Sequence, residues 1–271
     1  MKDTRNSDDS LEKAIALAGE AIRGARSIVV LTGSGVSAES AIPTFREAHE
    51  ALVDDEGNTM SALWAEFDPQ TLATPEAFDR DPEMVTRWYD WRRLKCLEAE
   101  PNQGHLALAE IERRTRDRGG AFTLLTQNVD GLHQRAGSGR VIELHGSIMS
   151  WRCSRTGRRT EIPGDAFETY PPLHPETGDP LRPGVVWFGE ALPPDAIDTA
   201  MHTLASCDLF VSIGTSSVVY PAAGFIHLAR EAGARTIEVN PDATPISGAI
   251  DIALRGKSGE VLPVLVEKLG S

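Results

Sequence analysis

Residues 27–46 read Ser27-Ile28-Val29-Val30-Leu31-Thr32-Gly33-Ser34-Gly35-Val36-Ser37-Ala38-Glu39-Ser40-Ala41-Ile42-Pro43-Thr44-Phe45-Arg46. Ile28 to Leu31 is a short apolar, β-branched run of the kind that fills a strand buried on both faces. The chain then breaks into a glycine loop. Gly33 and Gly35 permit a tight turn and a close approach of backbone N–H groups to phosphate, and small Ala38 lets a following helix lie against the strand. This is the logic of a dinucleotide site, with a pyrophosphate over a helix N-terminus. On its own the pattern is equally that of an ordinary strand–helix turn. Arg46 adds a cation near the expected pyrophosphate. The acidic residue that usually ends the second strand about twenty positions on is missing. Asp54, Asp55 and Glu56 fall at that distance, but in a polar stretch with no strand pattern before it. The ribose must therefore be held from elsewhere.

The chain has 271 residues, 41% of them hydrophobic, enough for one large domain or one domain plus a lobe. No apolar run reaches the roughly eighteen residues of a membrane span. The polar start MKDTRNSDDS lacks the apolar core of a secretory signal, so residues 1–10 are expected to be a disordered tail and the protein cytoplasmic. A net charge of −13 disfavours nucleic acid as a partner. It first of all aids solubility, and it would attract a cationic peptide. Cys96, Cys153 and Cys207 are far apart and form no C-x-x-C pair, which reads as reduced thiols.

Residues 11–26 have the apolar spacing of an amphipathic helix, with Ser10 as N-cap and Gly24 near the end. Residues 47–57 are polar, as a mobile loop over a ligand would be. Residues 60–100 predict helices interrupted by Pro69, Pro75 and Pro82. They carry Trp64, Phe67, Phe78, Trp88, Tyr89 and Trp91, six of the sixteen aromatic residues (five Trp, three Tyr, eight Phe). After a helix at 105–117 come strands at 122–126, 141–144, 208–213, 236–239 and 251–254, the later ones separated by helices at 195–206, 221–231 and 260–269. That alternation predicts an α/β, Rossmann-like fold: a mostly parallel sheet with helices on both faces. Residues 148–183 are basic, proline-rich and polar. The expected organisation is a nucleotide-binding domain from 11–48, 101–147 and 184–271, and a smaller lobe from the inserts 49–100 and 148–183.

Ligands of open α/β sheets sit outside the carboxyl ends of the strands. Those ends read Gly33-Ser34-Gly35, Thr126-Gln127-Asn128-Val129-Asp130, His145-Gly146, Gly214-Thr215-Ser216 and Asn240-Pro241-Asp242. One such polar or glycine cluster would be a loop. Five converging on one edge make a site.

With these clusters the sequence resembles the sirtuins, NAD-dependent protein-lysine deacylases. Gly33 to Arg46 follows the family's G-A-G-x-S-x-x-S-G-I-P-x-F-R, Thr126 to Asp130 its T-Q-N-x-D, and Leu144 to Gly146 its L-H-G. Arg182-Pro183-Gly184-Val185-Val186-Trp187-Phe188-Gly189-Glu190, Gly214 to Ser216 and Asn240-Pro241 complete the set, from Ser27 to about Ser258. The resemblance implies that NAD is consumed: nicotinamide leaves as the acyl oxygen of an acyl-lysine attacks the ribose. His145 would then take a proton from a ribose hydroxyl, a role suited to an imidazole near neutrality. An isolated L-H-G would read as a core histidine ending a strand. Beside Gln127, Asn128 and Asp130 it reads as the base.

The resemblance also implies that Asn128 and Asp130 hold the nicotinamide amide, that Gln127 faces its ribose, and that Ser37 and Arg46 serve the phosphates. Ser216 and Asn240 would take the adenosine side, with Ser258 beside the adenine. Gly33, Ser34, Gly35, Val36, Glu39, Phe45, Val129, Gly214, Thr215, Pro241 and Asp242 would complete the NAD site. Val185, Val186, Trp187, Phe188, Gly189 and Glu190 would clamp an acylated peptide by strand addition. Tyr89 and Arg92, at i and i+3 on a helix, resemble the pair of sirtuins that remove acidic acyl groups such as succinyl, malonyl or glutaryl; a guanidinium and a phenol suit a distal carboxylate. The plain reading of those two is an amphipathic helix with a surface arginine.

The chain departs from the family in three places. Ser34 stands for an alanine, and Ala41 for a glycine, so Ala41 loses easy access to φ > 0 if the turn requires it. Of four zinc-binding cysteines in the second insert only Cys153 remains, the others falling near Thr156, His174 and Thr177, so no zinc is expected. Two other functions compete: NAD hydrolysis or ADP-ribose transfer, and a non-catalytic NAD-sensing module.

Overall fold

The computed structural model describes residues 4–42 and 72–270. Its strands are β1 (Ser27–Thr32), β2 (Ala121–Thr126), β3 (Val141–Glu143), β4 (Gly146–Cys153), β5 (Arg159–Thr160), β6 (Leu181–Val185), β7 (Leu209–Ile213), β8 (Arg235–Val239) and β9 (Ile252–Leu254). Six of them form a parallel sheet in the order β3-β2-β1-β7-β8-β9. The order reverses at β1, which pairs with β2 on one side and β7 on the other. A crevice opens at such a reversal, outside the carboxyl ends. The chain thus has the Rossmann-like fold expected.

The alternation of β1 feeds two cores. Ile28 and Val30 pack with Ile15, Ile22, Leu108, Ile111, Leu262 and Leu265. These come from α1 (Thr4–Gly24), α5 (Gln103–Asp117) and α9 (Ser258–Lys268). Val29 and Leu31 face the other way, toward Ala200, Leu204, Phe225 and Ile226. Those lie on α7 (Pro194–Leu204) and α8 (Phe225–Glu231). Each such side chain is worth about 1.5–3 kcal/mol when fully buried, so a strand apolar on both faces is stable only between two helical layers. Asp208, expected inside β7, lies just before it. Its Oδ2 accepts the N–H groups of Arg26 and Ser27 at 2.8 and 2.9 Å and anchors the start of β1.

The first helix corrects the expected tail. It begins at Thr4, not Leu11, because residues 4–10 contain neither Gly nor Pro to stop it, and it ends at Gly24 rather than Arg26. In the lobe, α3 (Pro75–Arg80) and α4 (Pro82–Glu98) start at their prolines instead of being interrupted by them. Thr74 and Asp81 are their N-caps, accepting from Ala77 N–H and Met84 N–H. Pro69, Trp64, Phe67 and the loop expected at 47–57 lie outside the described residues. A second sheet, ordered β5-β4-β6 and antiparallel, runs from Gly146 to Val185, two residues beyond each end of the expected insert.

The lobe has its own core of Phe78, Val85, Trp88, Tyr89, Ile148, Trp151 and Trp187. At its centre the fully buried Arg93 and Asp90 form an ion pair at 2.7 Å. Arg93 also donates to Pro163 O and Asp165 O, while Asp90 accepts from Phe167 N–H and Tyr170 Oη. Residues 163–170, which form no helix or strand, are thereby tied to α4.

Candidate active site

Two glycine turns press face to face at the reversal of strand order. Gly35 N–H donates to Gly214 O at 2.8 Å. A Cβ on Gly35 would stand 2.8 Å from that oxygen and 2.9 Å from Gly214 Cα. Gly214 itself has φ +58°. Here the glycines serve loop-to-loop packing directly, a requirement the phosphate reading of the motif did not contain. Gly146 of the L-H-G is equally constrained: φ is +72°, and a Cβ would meet Gly184 O at 2.1 Å.

Between these turns the expected nicotinamide residues come together. Asn128 Nδ2 donates to Gly33 O at 3.0 Å and to Ser37 Oγ at 2.8 Å. Ser37 Oγ donates to Asp130 Oδ2 at 2.7 Å, and Asp130 Oδ1 accepts Leu132 N–H, which starts α6 (Leu132–Arg135). Both hydrogens of the Asn128 amide are thus engaged, so its side chain presents Oδ1, an acceptor, to a ligand. Gln127 Nε2 donates to Thr215 Oγ1 at 3.0 Å, and Asn240 Nδ2 to Thr215 O at 2.9 Å. Val36 is buried in the short helix α2 (Ser34–Ala38), whose first residue Ser34 is exposed. Val129 and Ser216 are half-buried, and Pro241 and Asp242 are exposed. Phe45 and Arg46 lie outside the described residues.

His145 is half-buried in the turn just past β3. Its Nδ1 lies 2.9 Å from Gln127 O. A carbonyl only accepts, so Nδ1 carries the hydrogen and Nε2 is left as the basic nitrogen. Burial holds the ring below its ordinary pKa, partly offset by that hydrogen bond. The arrangement supplies a neutral base at physiological pH.

Glu39 and Ser258, both expected against the nucleotide, also meet each other. Ser258 Oγ donates to Glu39 Oε1 at 2.6 Å, and Gly259 N–H donates to the same oxygen at 2.9 Å. A carboxylate on the first N–H groups of α9 is favoured by the helix dipole; this pair fixes α9 against α2. The sequence reading missed Asn102, the N-cap of α5. Its Nδ2 donates to Val36 O at 2.8 Å and Ser40 Oγ at 2.9 Å, bracing the glycine loop. An asparagine just before a helical run was the available signal.

On the peptide side, Val186 N–H donates to His145 O at 2.9 Å, so β6 delivers its end to the base. Val185 is buried, whereas Phe188 and Gly189 are exposed beyond it, Gly189 with φ +86°. Glu190 is engaged by Arg182 at 2.7 and 2.9 Å and accepts Trp187 N–H. Arg182 also lies 3.4 Å over the Trp187 ring. Trp187 and Glu190 therefore shape the segment, a turn closed by Glu190 N–H donating to Trp187 O at 3.0 Å, with Phe188 and Gly189 exposed at its tip and Phe188 N–H donating to Ala73 O at 2.9 Å.

Tyr89 and Arg92 are buried in α4, against the plain expectation of a surface arginine. The Tyr89 ring sits 6.3 Å from that of Trp187, and the Arg92 guanidinium 4.9 Å over Trp88. A narrow cleft lined by Ile42, Trp91, Arg92, Lys95 and Cys96 opens beside it. Burial pushes the Tyr89 phenol up and the Arg92 guanidinium down, the charge on each partly offsetting the shift of the other.

The zinc positions form two matching turns, Cys153-Ser154-Arg155-Thr156-Gly157 and His174-Pro175-Glu176-Thr177-Gly178. Thr156 N–H donates to Cys153 Sγ at 3.4 Å, and Thr177 N–H to His174 Nδ1 at 3.3 Å. Both glycines have φ +71°. Across the turns Cys153 Sγ lies 3.5 Å from Thr177 Oγ1 and 3.6 Å from Asp179 Oδ2, and Arg155 holds Asp179 at 2.8 Å. Among the described residues no three His, Cys, Asp or Glu side chains are grouped to hold a metal. Two threonines and an arginine-bound carboxylate do not fit tetrahedral zinc.

A doubly wound sheet with a crevice at its switch point, a hydrogen-bonded Ser37-Asn128-Asp130 cluster and a neutral histidine defines an α/β enzyme of nucleotide chemistry. The Sir2 family profile matches residues 33–221. An "NAD-dependent protein deacylase 2" of Pyrobaculum aerophilum is 46% identical over 248 residues, 92% of this chain and 93% of that one. A Sir2 homologue solved in complex with NAD has a TM-score of 0.83 at 44% identity, covering 93% of both chains. Sir2 bound to an acetylated peptide has a TM-score of 0.77 at 28% identity, covering 93% of this chain and 96% of that one. The chain belongs to the Sir2 family.

Proposed function

We propose that this protein removes acidic acyl groups, such as succinyl, malonyl or glutaryl, from lysine side chains in preference to acetyl. As a Sir2-family member the chain is an NAD-dependent protein deacylase. The observation that carries the finer reading is the burial of Tyr89 and Arg92 side by side on α4. A buried guanidinium favours an anion, and a carboxylate matches its fork. His145 Nε2 accepts the proton of the ribose hydroxyl, Asn128 and Asp130 hold the nicotinamide, and the run from Val185 to Glu190 clamps the peptide. The lobe works without zinc, its turns closed by Cys153, Thr177, Asp179 and Arg155. Three unpaired cysteines suit a reducing, cytoplasmic location.

The test is to incubate the protein with NAD and acetyl-, succinyl- and glutaryl-lysine peptides and weigh the products. Acyl-ADP-ribose is expected, most from the acidic peptides. NAD loss without deacylation would mean hydrolysis or ADP-ribose transfer, and no reaction a sensing module. If Arg92→Met left desuccinylation unchanged, the carboxylate clamp would be wrong. About one zinc per chain in the purified protein would overturn the metal-free lobe.

A further inference from the structure

Beneath the nicotinamide residues lies a buried polar chain with no part in the reaction so far. His105 in α5 and His133 in α6 are 0% and 1% exposed, with ring centroids 4.7 Å apart and planes tilted by 58°. His105 Nε2 and His133 Nδ1 are each buried without a hydrogen-bond partner. The opposite nitrogens reveal what kind of atom each is. Asn102 N–H donates to His105 Nδ1 at 3.3 Å, so in the neutral ring Nε2 carries the hydrogen. Thr32 Oγ1 donates its one hydrogen to Thr126 Oγ1 at 2.9 Å, so it accepts from His133 Nε2 at 3.0 Å. His133 Nδ1 is therefore bare. The two unpartnered atoms are one donor and one acceptor on neighbouring rings.

We propose that His105 and His133 are positioning residues for nicotinamide cleavage, joined from Nε2–H to Nδ1 through one buried water. The join completes a head-to-tail chain of hydrogen bonds from Asn102 through His105, His133 and Thr32 to Thr126. Both ends reach the site. Asn102 grips Val36 O and Ser40 Oγ of the glycine loop. Thr126 Oγ1 accepts Asn128 N–H at 3.1 Å, and Asn128 in turn grips Gly33 O and Ser37 Oγ. The chain thus closes a ring through both loops, and a donor–acceptor sequence of one sense holds only while both imidazoles are neutral. Burial keeps both rings neutral, against the field of Asp130 and Glu39 on His105.

This inference rests on the reading of Asn128 as a nicotinamide residue, and two measurements separate their failures. Long-range nitrogen–proton NMR of the imidazoles in the unmodified protein at pH 7 is expected to find His105 and His133 neutral with the hydrogen on Nε2. A charged ring, or a hydrogen on Nδ1 of either, overturns the chain whatever the enzyme does. In steady-state kinetics His133→Leu is expected to lower kcat tenfold or more, with the KM for NAD changing less than threefold. His133→Gln, which keeps a donor for Thr32, should recover part of kcat. A kcat within twofold of the parent, a tenfold rise in KM alone, or no recovery with glutamine would overturn the positioning role. Should the leucine variant fail to fold, the NMR result decides. Absence of acyl-ADP-ribose from the parent enzyme would instead overturn the deacylase reading and leave the tautomers standing.

Discussion

The hydroxyl of Ser37 donates to the Asp130 carboxylate across 2.7 Å, joining two buried residues 93 positions apart. Ser37 also accepts from Asn128 Nδ2, so one hydroxyl links the glycine loop to both residues proposed to hold nicotinamide. Ser37→Ala leaves a buried carboxylate with one fewer donor, worth about 1.5–3 kcal/mol. Unfolding in urea should show a loss of that size, and NAD-dependent deacylation should fall by about tenfold or more.

The pH profile follows from His145. Its pKa lies below the ordinary histidine value because the ring is buried, so the base form persists further into acid than for a free imidazole. The kcat/KM for deacylation should be flat above about pH 6.5 and fall only below it. His145→Ala should reduce turnover by about two to four orders of magnitude at every pH. A profile still rising above pH 7 would contradict this assignment.

Acid should also unfold the protein through His105 and His133. Burial holds them down to about 4 and about 3, below their unfolded value of about 6.5. Depressed pKa values contribute stability that is present above pH 6.5 and lost as pH falls through 4 toward 3. Thermal melts across pH 7 to 4 should show a falling Tm, less steep in His133→Gln. An unchanged slope in that variant would exclude His133 as a source.

Within the lobe, the Asp90–Arg93 pair holds an irregular segment, residues 163–170, to α4. Arg93→Met strands the Asp90 carboxylate at 0% exposure and should destabilise by about 3–5 kcal/mol. The solvent-screened Arg155–Asp179 pair, by contrast, should contribute little. Urea midpoints of Arg93→Met and Arg155→Met should differ accordingly.

Ala41 adopts φ +57°, so the turn does require the conformation that its residue type disfavours. A non-glycine residue there costs about 1–3 kcal/mol, and a glycine would return about 0.5–1 kcal/mol as unfolded-state entropy. Ala41→Gly should therefore raise Tm by a few degrees, and Ala41→Val should lower it.

The sequence by itself determined the doubly wound sheet, because apolar runs such as Ile28 to Leu31 have no stable place except between two helical layers. It also determined the cluster at the strand ends, since a loop that follows a parallel strand can only emerge at that edge. Helix limits were less legible: Thr4 to Ser10 look like a tail in composition, yet nothing in them breaks a helix. Tertiary structure alone decided the pairings. That Glu39 caps α9 through Ser258, that Gly35 exists for Gly214, and that Asn102 braces Val36 depend on contacts across up to 219 positions. The tautomer of His145 was likewise decided by its neighbour, because an imidazole can donate from either nitrogen and only the carbonyl of Gln127 facing Nδ1 selects which.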